Sequence, residues 1–295
     1  MMVDQVDIVI YHQFCQDGFA SAHVVHDYAL KNWQKEPEYR PASYGMWEDA
    51  REELIAKCKG MSVLMVDFTF DKPILDRIKE NAKQLVILDH HLTAREKIGD
   101  YEGYTYSETM SGVGMTWKYF HPDAKLPLIY ACIQDRDLWK FELPDTEEVY
   151  YYLSSIKMTM EAWDKMTEFT VIASGRAMKM MADAMIENEA KNCYVKTLGF
   201  NGKTLKVGYC QSNVFRSEIG NRIAKRSDVD IAVVFSYDGK KDRTCFSFRG
   251  LDEKQSGAEI ALAYGGGGHR NAAACYVSGN HVRLPALPVA EPSTV

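Results

Sequence analysis

The 295-residue sequence has no apolar run approaching the roughly 20 residues that a membrane span needs, which argues against an integral membrane protein. Its opening, MMVDQVDIVIYH, sets acid rather than base ahead of a short apolar run, so it does not read as a secretory leader. Cysteine is scarce and without paired spacing. The seven residues are an odd number, which disfavours a disulfide framework and makes a reducing cytoplasm the expected location. No internal repeat is present. Net positive charge is also missing: the balance is −6, which argues against wrapping long duplex DNA.

What is present is ample core material, with 46% hydrophobic and 26% charged residues, as in a water-soluble globular chain of one large domain or two ordinary ones. The charge is unevenly placed. Residues 191–283 hold 15 Lys/Arg against 8 Asp/Glu, whereas residues 1–190 hold 20 against 32. An acidic part suited to cations is thus followed by a basic part suited to phosphates.

In the first 140 residues, apolar runs alternate with helical patterns. Strands are expected at 6–11, 62–68 and 85–88, with helices over 17–33, from about 72, and over 112–120 and 126–133. The runs are apolar on both faces, as in a parallel sheet covered by helices, so a doubly wound α/β domain is expected over 1–157. Residues 158–195 read as a long Met- and Ala-rich helical connector. Strands at 204–210, 231–237, 244–249 and 273–277, with helices at 214–226 and 257–264, predict a smaller α/β domain over 196–282, set across a cleft from the first. The Pro-rich 283–295 reads as a loose tail.

Ligands of open parallel sheets bind beyond the carboxyl ends of strands. There this sequence places His12, Cys15 and Asp17 after the first run, Asp67 after the second, and Asp89, His90 and His91 after the third; a later helix ends in IQDRDLW, with Asp135 and Asp137. Carboxylates and imidazoles at three strand ends are the donor set of a divalent-metal centre. A carboxylate can bridge two cations, and each imidazole needs an outer acceptor for its second nitrogen. Near the C-terminus, YGGGGHRNAAA combines glycines, which let backbone N–H groups approach an anion, with His269, Arg270 and Asn271, which can grip one.

The LDHHL motif, with the upstream HQFCQDG and MVDF and the later GGGGHRNAAA, FRSEIGN and FSFRG, resembles the DHH phosphoesterase superfamily with its DHHA1 domain, which includes RecJ exonucleases, nano-RNases and family II inorganic pyrophosphatases. The resemblance spans residues 8 to about 278. It implies a DHH domain followed by a DHHA1 domain, and two divalent cations, Mn²⁺ foremost, with Mg²⁺, Co²⁺ or Zn²⁺ as alternatives. Asp67 would bridge, His12 would hold one metal, and Asp17, His90 and Asp135 the other. Asp89 would orient a histidine and His91 would face the phosphate. Asp137 is the alternative to Asp135, and its ordinary role would be an ion pair with Arg136.

Many relatives carry an aspartate where Cys15 stands. A thiolate there would favour softer ions such as Zn²⁺; a buried thiol would be mere filler. Gly266, Gly267, Gly268, His269, Arg270 and Asn271, with Arg249 and Arg216 behind them, are the implied substrate contacts. The implied activity is metal-dependent hydrolysis of phosphodiesters in short oligonucleotides or nucleotide-like molecules. The alternatives are phosphoanhydride hydrolysis, as by an exopolyphosphatase or pyrophosphatase, and a catalytically impaired nucleotide-binding module. The expected partner is a small phosphorylated molecule or short single-stranded oligonucleotide, with no membrane and no long duplex; a homodimer is left open.

Overall fold

A computed structural model describes residues 5–286, and the chain divides into two units, 1–179 and 180–295. Unit 1 runs β1 (Ile8–His12), α1 (Gln16–Asn32), β2 (Glu38–Ala42), α2 (Glu48–Lys57), β3 (Ser62–Val66), α3 (Lys72–Asn81), β4 (Gln84–Asp89), α4 (Leu92–Ile98), β5 (Tyr104–Tyr106), α5 (Gly112–Phe120), α6 (Leu128–Asp137), α7 (Thr146–Ser155) and α8 (Met160–Asp164), then α9 (Glu168–Lys191), inside which the division falls. The sheet is parallel throughout, in the order β2-β1-β3-β4-β5.

Alternation along the strands explains the two-sided cover. Val9, Leu64, Val66, Val86 and Leu88 face one way, into a core with Phe19, Val113, Tyr130 and Trp163. Ile8, Ile10, Val63, Met65, Leu85 and Ile87 face the other way, into a core with Leu54, Leu75 and Ile78. The doubly wound α/β expectation holds. Elements without a strong apolar pattern went unread. β2, EYRPA, carries Pro41 and charges, which only an edge strand tolerates. The expected 158–195 connector is two helices, α8 and α9, separated by residues 165–167.

Unit 2 adds β6 (Tyr194–Phe200), β7 (Lys203–Gln211), α10 (Arg216–Ala224), β8 (Ile231–Asp238), β9 (Arg243–Arg249), α11 (Gly257–Ala263), β10 (Gly267–His269) and β11 (Ala272–Ser278). Its sheet has the order β10-β11-β9-β8-β7-β6 and is mixed, with β7 and β8 parallel. Val207, Val233, Phe246, Phe248 and Ile260 form its core. Leu284 is buried in that core and Tyr264 donates to the Pro285 carbonyl, so the described start of the expected tail is packed; residues 287–295 lie outside the described residues. Among the described residues no helix is long and apolar enough to cross a membrane. The seven cysteines are free thiols.

Candidate metal centre

Three parallel strands, β1, β3 and β4, end side by side and deliver His12, Asp67 and His90 to one place. The chain leaves β3 abruptly. Asp67 adopts φ 53°, a left-handed conformation costly for a residue with a Cβ, while its N–H still donates to the Leu88 carbonyl. Its carboxylate is 1% exposed and presents its two oxygens to different imidazoles: Oδ2 lies 3.5 Å from His12 Nδ1 and Oδ1 lies 3.1 Å from His90 Nε2. His90 Nε2 is also 3.3 Å from Asp137 Oδ2 and 3.9 Å from Asp17 Oδ2. The ligand atoms form two compact triads, His12–Cys15–Asp67 and Asp17–His90–Asp137, and a third, Asp67–His90–His91, joins them through Asp67 and His90.

Several of these buried atoms lack a hydrogen-bond partner: His12 Nδ1, His90 Nε2, Asp67 Oδ2 and Asp89 Oδ2. Unpaired buried polar atoms are costly, and here His12 Nδ1, His90 Nε2 and the Asp67 carboxylate converge on one another, the arrangement that divalent cations satisfy. Electrostatics agree. Burial pushes Asp17 well above the carboxylate range, and the Asp67 and Asp137 charges add to it; burial and Asp67 likewise raise Asp137. Asp67 goes the other way. Burial acts against its ionisation, but contacts with His12 and His90 and the nearby His91 outweigh burial and hold the carboxyl low. His90 is pushed up to about 9: burial acts to lower it, and the contact with Asp67, then Asp137 and Asp17, prevails. Three carboxylates crowded around so few imidazoles cannot all ionise without added positive charge.

Cys15 sits at the mouth of α1 as its N-cap, grouped with His12 and Asp67. Burial, followed by the Asp67, Asp17 and Asp137 charges, raises its thiol well above the usual range. Asp89 accepts from both the backbone N–H of His91 and its Nδ1, the latter at 2.7 Å, and so fixes the ring.

One expected ligand requires correction. Asp135 does not enter the cluster. Its oxygens accept from Glu142 N at 3.0 Å, Leu143 N at 3.1 Å and the Thr146 hydroxyl, tying the end of α6 to the loop before α7. Residues two apart on a helix lie about 200° apart around its axis. Only one of Asp135 and Asp137 can face the strand ends, and that one is Asp137. Asp137 Oδ2 lies 3.3 Å from His90 Nε2, and the neighbouring Arg136 guanidinium lies 3.4 Å from the Tyr150 ring centroid.

Asp17 has a second duty that the sequence reading missed. It accepts from Ser111 Oγ at 2.7 Å, Gly112 N at 2.6 Å and Val113 N at 3.1 Å, capping the N-terminus of α5 with a carboxylate. A Cβ on Gly112 would stand 2.4 Å from Asp67 Cβ and 2.8 Å from Asp17 Oδ2. The signal in the sequence was SGVG, a serine and a close-approach glycine opening a helix. Gly112→Ala is therefore expected to lower stability by about 1–3 kcal/mol and to weaken Mn²⁺ binding in a calorimetric titration. Unchanged binding would mean that α5 does not set the carboxylate positions.

In unit 2, the register sets Ala272 opposite Arg249, so Asn271 lies one step beyond that pair. Arg249 donates to Ser217 Oγ at 2.6 Å, and Arg216 contacts Cys245 Sγ at 3.6 Å. Arg270 donates to the Asp252 and Lys254 carbonyls at 2.9 and 3.1 Å, and Asn271 Nδ2 donates to Asp252 Oδ1 at 2.5 Å. The glycines have a packing reason of their own: a Cβ on Gly266 would lie 2.1 Å from the Ala274 carbonyl oxygen, and Gly268, at φ 136°, lies against Ala273. Gly267 pairs with Ala274 in the same ladder, and His269 is exposed at its end.

A further group, His23, Asp27 and Asp164, lies away from these strand ends. Its imidazole is already engaged by Tyr130 at 2.7 Å and Asp164 at 3.1 Å, in a hydrogen-bond network that runs from the buried His23 ring out to the exposed Asp164.

No protein-family model matches the chain. Protein R106 of Acanthamoeba polyphaga mimivirus, described only as uncharacterized, is 30% identical over 295 residues, covering 96% of this chain and 70% of that protein. Among solved structures, a pGpG-specific phosphodiesterase, PggH of Vibrio cholerae, is similar at 9% identity with a TM-score of 0.54, covering 93% of this chain and 94% of that one. The exonuclease RecJ bound to manganese is similar at 13% identity with a TM-score of 0.52, covering 92% and 85%.

Proposed function

We propose that this chain, which belongs with the mimivirus protein to one family and to the DHH/DHHA1 phosphoesterase superfamily, is a hydrolase that cuts phosphodiester bonds in short oligonucleotides or nucleotide-like molecules. The observation that carries the reading is Asp67, whose two oxygens face two separate donor groups. His12, Cys15 and Asp67 would hold one divalent cation; Asp67, Asp17, His90 and Asp137 would hold the other. Bound there, divalent cations supply Lewis acidity that makes water a nucleophile near neutral pH and offsets the charge of a phosphate.

The remaining groups orient and shield. Asp89 takes His91 Nδ1 and leaves Nε2 as the nitrogen able to donate toward a phosphoryl or leaving oxygen. Such donation needs the doubly protonated ring, a form that Asp89 and then Asp67 favour by raising the His91 pKa against the opposing effect of burial. Asp17 fixes α5 and thereby the floor beneath Asp67. In unit 2, taken by itself, we assign anion contacts to His269, Arg249 and Arg216, with Arg270 and Asn271 shaping the loop at Asp252. The named activities of PggH and RecJ, and the manganese of RecJ, support a phosphodiester substrate and Mn²⁺.

The test is parallel turnover of a dinucleotide, pyrophosphate and polyphosphate by protein loaded with Mn²⁺, Mg²⁺, Co²⁺ or Zn²⁺. Cleavage of the dinucleotide is expected. Cleavage of the anhydrides alone would replace the reading with a phosphoanhydride hydrolase, and nucleotide binding without turnover under any ion would leave a binding module.

Cys15→Asp is expected to move metal preference toward Mn²⁺ and away from Zn²⁺, because a carboxylate oxygen is a harder donor than sulfur. Competition titrations read this directly, and an unchanged preference would remove Cys15 from the ligand set.

A further inference from the structure

Beside the ligand cluster, unit 1 has an open cavity of about 590 Å³, lined by Cys15, Asp17 and Asp137 together with Phe14, Trp139 and Tyr150. That size falls within the usual range of small-molecule sites. Its aromatic walls are unusual in two respects. Phe14 is 85% exposed and Trp139 is 50% exposed, although each could have contributed to a core. Both also hold left-handed backbone conformations, φ 60° and φ 56°; that of Trp139 closes the C-terminus of α6, where the Trp139 and Lys140 N–H groups donate to the Arg136 and Asp135 carbonyls. A single exposed aromatic is ordinary. Phe14, in the turn before α1, and Trp139, whose ring also meets that of Phe141 at 4.8 Å, both leave aromatic surface exposed in the same cavity as the metal ligands.

The third wall is braced. The Arg136 guanidinium stacks 3.4 Å from the Tyr150 centroid and lies 5.4 Å from that of Trp139, so a cation and two π-faces are held together. Phosphate alone has no use for such walls. A flat heterocycle does, since every nucleobase offers a π-face to an aromatic ring.

We propose that this cavity is a nucleobase subsite, in which the base of the substrate stacks on Trp139 while its phosphate reaches Asp17, Asp137 and their metal. The proposal rests on the phosphodiester reading and narrows it to substrates that carry a base. Trp139, on the turn after α6, is then a specificity residue, and Arg136 a positioning residue acting through Tyr150.

The test is equilibrium binding of AMP and of ribose 5-phosphate to the Mn²⁺-loaded full chain, by calorimetry and by tryptophan fluorescence. The wild type is expected to prefer AMP by about 10-fold or more, the contribution of one stacked base, with quenching of its fluorescence. Trp139→Ala should bring the ratio near one. Trp139→Phe, which keeps a ring and guards against misfolding of the alanine variant, should retain most of the preference and lose the quenching.

Equal binding of the two ligands by the wild type, or an AMP preference that survives in a folded Trp139→Ala protein, overturns the subsite. The two readings fail separately. Dinucleotide cleavage without AMP preference refutes only the subsite. A Trp139-dependent AMP preference in a protein that cleaves only polyphosphate refutes only the phosphodiester reading.

Discussion

Asp67→Asn is expected to lower phosphodiester turnover by about a thousandfold or more and to abolish tight Mn²⁺ binding, while the protein stays folded. Asp67 alone presents one oxygen to His12 and the other to His90, so losing its charge removes the shared ligand of both donor groups. The fold should survive because asparagine has nearly the same shape and is among the residues that best tolerate a left-handed backbone, which Asp67 adopts at φ 53°. Turnover assays, a Mn²⁺ titration and a melting curve check the three parts. Ordinary turnover with full metal stoichiometry would end the shared-carboxylate account.

The second large effect is a contrast between neighbours on α6. Asp137→Asn is expected to weaken metal binding by about 100-fold or more with little change in melting temperature, because its carboxylate faces His90 at 3.3 Å from the rim of the cluster. Asp135→Ala should do the reverse. It leaves the N–H groups of Glu142 and Leu143 and the Thr146 hydroxyl without their acceptor, which costs about 1–3 kcal/mol per buried group stranded, and it should spare the metal titration. Metal loss in a stably folded Asp135→Ala protein would restore Asp135 as the ligand.

That contrast marks where the sequence stopped being legible. The central strands were readable because β1, β3 and β4 are apolar on both faces, and a strand buried on both sides has few other compositions open to it. The first and third also run directly into polar metal-ligand types, and the second is followed at once by Asp67. β2 and β5 were missed because an edge strand buries little and carries little signal. The 158–195 segment was read as continuous because its Met- and Ala-rich pattern resumes after the break at 165–167.

The sequence by itself determined that carboxylates and imidazoles would gather at the carboxyl ends of a parallel sheet, since strand periodicity and chain direction are local properties. Only the tertiary structure decided which atoms meet. The phase of α6 chose Asp137 over Asp135. The approach of α5 gave Asp17 its second task through Ser111 and Gly112. The turn after α6 brought Trp139 beside residues more than a hundred positions earlier in the chain. Each choice depends on how one element is rotated and docked against another, and packing of the whole core, not the local pattern, sets that angle.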